Sequence, residues 1–170
     1  GSYNEMKGVL ILLNALKNVS GEYRCDFYGS GPLREEMDAF VRNNTMERRI
    51  TINGHVSHDR MLALINQHDI VVHPSVVAEA IPRMALEALA AEKIVIASNV
   101  GGAKGAITDG VSGVLFDPFS VQTLTDAIER VLADKNLREG IKQHARDGII
   151  PHLQQNVIAQ VKKVYAKLLQ

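Results

Sequence analysis

Hydrophobic positions switch between two spacings along the chain. Val9, Leu12, Leu13 and Leu16 recur at helical spacing, and Tyr23 to Tyr28 then reads as a strand. Pro32 fits a first helical position, with Glu35 and Glu36 in the first turn and Leu33, Met37, Phe40 and Val41 on one face. Ile50 to Asn53 predicts a short strand, and Ser57 an N-cap for a helix carrying Met61, Leu64 and Ile65. Ile70 to His73 reads as strand, Pro82 to Ala91 as helix and Ile94 to Ala97 as strand. A Gly-rich turn leads to a short Val114-Leu115 strand. Three helical stretches finish the chain, from Ser120 to Ala133, Lys135 to Arg146 and Pro151 to Leu169. On the last of these, Val157, Val161, Val164 and Leu168 line one side, which predicts packing on the sheet rather than on a lipid surface.

Strands separated by helices of about ten residues imply βαβ units and a parallel sheet. The runs Ile70-Val71-Val72 and Ile94-Val95-Ile96 are continuously apolar, as a strand covered by helices on both faces requires. Right-handed crossovers then give an α/β fold, a Rossmann-like doubly wound parallel sheet.

Composition narrows the class further. The 170 residues match one domain on the usual length scale. Hydrophobic residues at 46% and charged residues at 22% exclude a disordered chain. Nineteen basic residues balance nineteen acidic ones, so the excess cation that a nucleic-acid partner demands is missing. Cys25, the single cysteine, cannot form an internal disulfide, and its mid-strand place predicts a buried thiol rather than a nucleophile. No apolar run reaches the ~18 residues of a membrane span, so neither a transmembrane segment nor a signal peptide is expected. Gly1-Ser2 reads as an expression scar, and residues 3–170 as one domain of a longer protein.

In a doubly wound sheet, ligands bind outside the carboxyl ends of the strands. Four predicted strands here end in small or polar residues: Gly29-Ser30-Gly31, Gly54-His55, His73-Pro74-Ser75, and Ser98-Asn99-Val100-Gly101-Gly102. Glycines there let backbone N–H groups approach a phosphate, although turns use glycine in any case. A dinucleotide fingerprint fails at its third glycine, where Arg34 stands, and no strand-end acid stands clearly downstream. His55, His58 and His73 could lie near one edge, but their spacing matches no common metal pattern, and no metal is expected.

The sharpest feature is the pair Glu79 and Glu87 around Pro82. Glu79 falls in the loop before a helix and Glu87 inside it, and five residues of helix rise about 7–8 Å. A diphosphate at that helix N-terminus would have one carboxylate beyond it and one behind it. Each could accept hydrogen bonds from a sugar's vicinal hydroxyls, which suits a nucleoside diphosphate sugar. An Arg83–Glu87 ion pair on an exposed helix face is the plainer alternative.

Taken in order, these segments resemble the C-terminal, donor-binding domain of a retaining glycosyltransferase with the GT-B fold, from the group 1 family. The resemblance rests on Lys7-Gly8, Gly29-Ser30-Gly31-Pro32, Ile52-Asn53-Gly54-His55-Val56 and Asp69 to Ser75. It continues through Glu79 and Glu87 with Ala88 to Ala91, then Gly101-Gly102 and Asp109-Gly110-Val111-Ser112-Gly113. It implies catalytic roles for Glu79, at the transferred sugar or its phosphate, and for Lys7, at the diphosphate. It implies that Glu87 holds the ribose and that backbone near Pro82, Arg83 and Met84 meets phosphate, with Val56 against the base. Gly29, Gly31, Ser75, Gly101 and Gly102 complete the implied donor site.

The implied substrate is a nucleotide sugar, UDP- or GDP-linked first, with no cofactor and no metal. The implied acceptor is a glycan, polysaccharide or lipid-linked sugar held by a missing N-terminal domain. The implied location is the cytoplasm, at the inner membrane face for the longer protein. Departures stand at Pro82 and Gly105, where the family carries glycine and an acid, and at Ala91-Glu92-Lys93-Ile94, where it carries a small residue, glycine, a variable residue and proline. A basic residue usual before the Lys-Gly pair is also missing. Two other readings share the fold: a nucleotide-sugar epimerase, and a catalytically lapsed nucleotide-binding or interaction module.

Overall fold

The computed structural model describes residues 1–168. Strands β1 (Cys25–Tyr28) and β2 (Ile50–Asn53) pair in parallel, with Cys25 opposite Ile50. Strands β3 (Ile70–His73), β4 (Ile94–Ser98) and β5 (Val114–Phe116) form a second parallel ladder in that order. There Ile70 stands opposite Ile94, and Ile96 opposite Val114. Each crossover runs through a helix, as parallel pairing requires. The crossover helices are α2 (Arg34–Asn43), α3 (His58–Gln67), α4 (Arg83–Ala90) and the short α5 (Ala103–Ala106), while α1 (Val9–Asn18) precedes β1, and α6 (Val121–Ala133), α7 (Lys135–His144) and α8 (Gln154–Leu168) follow β5.

The α/β class and the parallel crossovers agree with the sequence pattern. The ladder differs in one respect, because it comes in two hydrogen-bonded pieces. A cavity of about 360 Å³ lies between β1 and β3 and is lined by both strands.

Side chains alternate across β4, all five of whose residues are buried. Ile94 and Ile96 pack with Leu12, Leu13 and Leu16 of α1 and Leu124, Ile128 and Val131 of α6. Val95 and Ala97 face the other way, against Ala85, Ala88 and Leu89 of α4. The small residues of α4 let that helix lie close to the sheet, which brings its N-terminus to the carboxyl edge of β3.

Three expectations shift. Tyr23 and Arg24 stay outside β1, because the Tyr23 hydroxyl donates to the Leu16 carbonyl at 2.6 Å and its ring stacks under Arg49. Pro32 lies in a turn, and α2 starts at Arg34, since the Leu33 N–H is spent on the Tyr3 carbonyl at 3.0 Å. The expectation that α8 packs on the sheet is overturned. Val157, Val161 and Val164 are 42%, 47% and 58% exposed, and α8 follows a 3-10 segment, Ala145–His152, on which it rests. The sheet face is already covered by Leu124 and Val131 of α6 and Ile141 of α7, each fully buried. The Leu168 side chain lies outside the described residues.

Burial sets the expected mutational contrast. Leu13→Ala removes a fully buried side chain and should cost about 3 kcal/mol, which is several degrees of melting temperature. Val161→Ala on the exposed face of α8 should stay within about 0.5 kcal/mol. Chemical denaturation of both variants checks the pair. Equal losses would contradict the observed placement of α8.

Candidate functional site

The site begins with a turn that is held by its neighbours. Lys7 ends a 3-10 turn, Glu5–Lys7, whose N-cap Asn4 accepts from the Lys7 N–H at 3.0 Å. Gly8 follows at φ 63°, and a Cβ there would overlap the Pro74 carbonyl. The Met6 carbonyl accepts from the Val76 N–H at 2.9 Å and from Ser75 Oγ at 3.1 Å. The Ser75 side chain is buried by this arrangement. The turn is therefore fastened to the segment that leaves β3, and Lys7 is carried to the carboxyl edge.

Glu79 reaches the same place from the loop between β3 and α4. The Gly102 N–H donates to the Glu79 carbonyl at 2.8 Å, and a Cβ on Gly102 would overlap the Ala80 carbonyl. Gly101 and Gly102 thus serve as a floor for the Glu79 loop, as close backbone approach demands. Lys7 Nζ lies 2.6 Å from Glu79 Oε1, and His73 Nε2 lies 3.6 Å from the same oxygen. Burial pushes the Glu79 carboxyl up, but the hydrogen bond from Lys7 and the charges around it outweigh burial and hold it below its ordinary value. The His73 imidazole is held below its ordinary value, first by burial and also by the Lys7 ammonium, against an opposing pull from Glu79. Both shifts favour an ionised Glu79 beside a neutral His73.

Helix α4 starts beside this pair. Pro82 is its N-cap rather than its first helical residue, so the missing proline N–H falls outside the helix. The amides of Arg83 and Met84 belong to the first turn, where helical N–H groups have no intrahelical partner. The Arg83 side chain is exposed. Glu87, one turn further on, does not pair with Arg83. Its Oε1 lies 3.5 Å from His58 Nε2 at the start of α3, and its side chain is 19% exposed. Val56 is half-buried just before the Ser57 cap, whose Oγ accepts from the Arg60 N–H.

Lys7, His73, Pro74, Glu79, Arg83 and Met84 all line the cavity between β1 and β3. Gly29 and Gly31 are engaged differently. Cβ atoms on them would overlap the backbone of Gly1 and Tyr3, so their space is filled by the chain's own first residues. His58 and His73 attend separate carboxylates, Glu87 and Glu79. No group of three or more metal-ligating side chains is gathered among the described residues. The pairings His58–Glu87 and His73–Glu79 were not foreseen, and the one sequence signal for His73 was its place at a strand end before Pro74-Ser75. Cys25 opens β1, and burial pushes its thiol up to about 12, which leaves no nucleophile at neutral pH.

Comparison with known proteins bears on this geometry. Residues 1–148 match the family described as glycosyl transferases group 1. An alpha-D-kanosaminyltransferase of Streptomyces kanamyceticus is 31% identical over 142 residues, 82% of this chain and 36% of the relative. A lipopolysaccharide 1,2-N-acetylglucosaminetransferase of Salmonella typhimurium is 31% identical over 174 residues, covering 94% of this chain and 45% of the relative. The chain thus spans less than half the length of either relative. Among solved structures, Anabaena Alr3699/HepE in complex with UDP and glucose superposes with a TM-score of 0.83 at 23% identity, over 99% of this chain and 46% of that one. The C-terminal domain of a group 1 glycosyl transferase (LpcC) from Francisella tularensis superposes at 0.80 with 25% identity, over 88% of this chain and 80% of that domain. The fold is that of the Rossmann-like half of a GT-B glycosyltransferase, and the chain belongs to the group 1 glycosyltransferases.

Proposed function

We propose that this chain is the donor half of a glycosyltransferase, which binds a nucleoside diphosphate sugar and passes the sugar to an acceptor held by an N-terminal domain. The observation that carries this is the placement of Lys7 and Glu79 in contact beside the first turn of α4. A diphosphate at that turn would meet the Arg83 and Met84 amides, the Lys7 ammonium and the positive end of the helix dipole. Lys7 has three donors, so it can hold Glu79 and a phosphate oxygen together. Glu87, one turn along α4, would accept from the ribose hydroxyls, and Val56 would lie against the base. Ionised Glu79 would accept from hydroxyls of the transferred sugar.

The reaction asks for stabilisation of a departing nucleoside diphosphate. In this reading Lys7, Arg83 and the helix amides supply it without a metal or cofactor, and the reaction retains the donor's anomeric configuration. UDP is the first nucleotide to test, since a solved relative of the same fold was captured with it. The acceptor is a glycan or a lipid-linked sugar, and the longer protein works in the cytoplasm at the inner membrane face. No helix among the described residues is long and apolar enough to cross a membrane.

Two experiments test the reading. A thermal-shift series with UDP, GDP, ADP and their sugar conjugates should show stabilisation by one base series, about 2.7 kcal/mol at 100 times its Kd. Glu87→Ala should weaken that binding at least about tenfold, or 1.4 kcal/mol, while the melting temperature of the free chain stays put. Unchanged affinity in the variant would remove Glu87 from the site.

Lys7→Met tests the other carboxylate. It removes the Lys7 hydrogen bond and charge that lower the Glu79 carboxyl and keeps the burial that raises it, so Glu79 should titrate at higher pH in the variant, as carboxyl NMR would read. The ion pair stabilises above the ordinary carboxylate range, and that contribution is lost as pH falls through the lowered Glu79 value. Both partners are partly exposed, so the stability gap at neutral pH should be about 1 kcal/mol or less and should close in acid. A Glu79 titration unmoved by the substitution would contradict the pairing.

A further inference from the structure

Of the two carboxylates around the start of α4, Glu79 is held by Lys7 and approached by His73. Glu87 has a different partner. Arg83 stands four residues before it, at the spacing that lets side chains on a helix meet, yet the Arg83 side chain is exposed and does not pair with it. Among the described residues the basic side chain within ion-pair reach of Glu87 is His58, whose Nε2 lies 3.5 Å from Glu87 Oε1. That separation is at the long end for a hydrogen bond, as contacts in a site commonly are before substrate binds.

The contact joins two helices whose approach is fixed independently of it. His58 is the first residue of α3, set there by the Ser57 cap, whose Oγ accepts from the Arg60 N–H at 3.3 Å. Glu87 lies in the second turn of α4. Met61, three residues after His58, and Met84, three before Glu87, pack against the same core cluster and both line the cavity. Apolar packing thus brings α3 to α4 beside the pair. Val56, which the nucleotide reading sets against the base, is two residues before His58.

Exposure separates the partners, with the Glu87 side chain 19% exposed and that of His58 54%. A carboxylate that has lost most of its water needs donors in exchange, and the imidazole is the donor at hand. A glutamate also gives up rotamer freedom when it grips a ligand. An imidazole that holds one of its oxygens in advance removes part of that cost. The other oxygen, and the remaining lone pairs of the first, stay available to a diol.

Resting on the nucleotide reading, we propose that His58 is a positioning residue for the nucleoside. Its imidazole holds Glu87 Oε1 and sets the carboxylate for the 2′ and 3′ hydroxyls of the ribose. His58 acts through Glu87 and makes no contact with the donor itself. Residues 56–58 then carry both the base contact and the grip on the ribose carboxylate, so the start of α3 and the second turn of α4 work as one nucleoside subsite.

Calorimetric titration of the 170-residue chain with UDP, GDP and their 2′,3′-dideoxy counterparts tests it. With the ribonucleotide that binds, His58→Ala should weaken affinity about fivefold, within the range of coupling between residues in contact. His58→Gln, which keeps a donor beside Glu87, should recover most of that loss. The dideoxy nucleotide should bind the parent chain and both variants equally. An equal loss for the dideoxy nucleotide would overturn the proposal, because a general disturbance of α3 and Val56 would not spare it. Losses that add in the His58→Ala, Glu87→Ala double variant would overturn it too, by placing His58 on the ligand. The contact is also read without ligand: Glu87→Gln should move the His58 ring resonances and leave those of His55 in place. An unmoved His58 ring would overturn the pairing whatever the nucleotide does. A His58 ring that responds, in a chain that binds neither nucleotide, would instead overturn the nucleotide reading and the positioning role with it.

Discussion

Parallel pairing is the constraint from which the rest of this molecule follows. Adjacent parallel strands cannot be joined by a hairpin, so each pair needs a helical crossover, and every strand ends at the same edge. Lys7, the Ser75–Glu79 loop and Gly102 are far apart in sequence, yet they meet because β3 and β4 run in one direction. The fully buried β4 anchors that direction, with Ile94 and Ile96 committed to one helical layer and Val95 and Ala97 to the other. A one-residue slip would exchange the two sets, so burial also fixes the register that aligns the loops.

At that edge, backbone contacts come before charge. Glycines at positions 8 and 102 admit the carbonyls of Pro74 and Ala80 where a side chain would collide. The two loops can then approach until Lys7 and Glu79 touch. Their contact helps hold the Glu79 carboxyl below its ordinary value, while burial is what chiefly holds the His73 imidazole below its own. The result is a cation next to the first turn of α4 whose partner is a carboxylate already oriented towards the cleft.

Elements with a two-sided apolar run were readable from sequence, because burial on both faces leaves no ambiguity of period. Strands β3 and β4 appear at their expected positions, and Ser57 caps α3 through the local bond that favours serine there. Elements decided by distant partners were not readable. The start of α2 depends on Tyr3, and the end of α8's expected packing depends on α6 and α7 having taken the sheet first. The same holds at the site. The positions of Glu79 and Glu87 around Pro82 follow from helix geometry, but their partners His73 and His58 arrive from other elements. The sequence places Gly29 and Gly31 at a strand end, as for ligand-facing glycines, whereas the space beside their Cα atoms is taken by the backbone of Gly1 and Tyr3.

The account centres on a diphosphate site at the first turn of α4, built by Lys7 and Glu79. Amide chemical-shift mapping tests it most directly, with UDP and GDP titrated separately into the labelled chain. The account predicts saturable shifts at Arg83 and Met84, accompanied by Lys7 and Val56, with one of the two nucleotides. Shifts confined to other parts of the molecule, with these four amides unmoved at saturation, would contradict it.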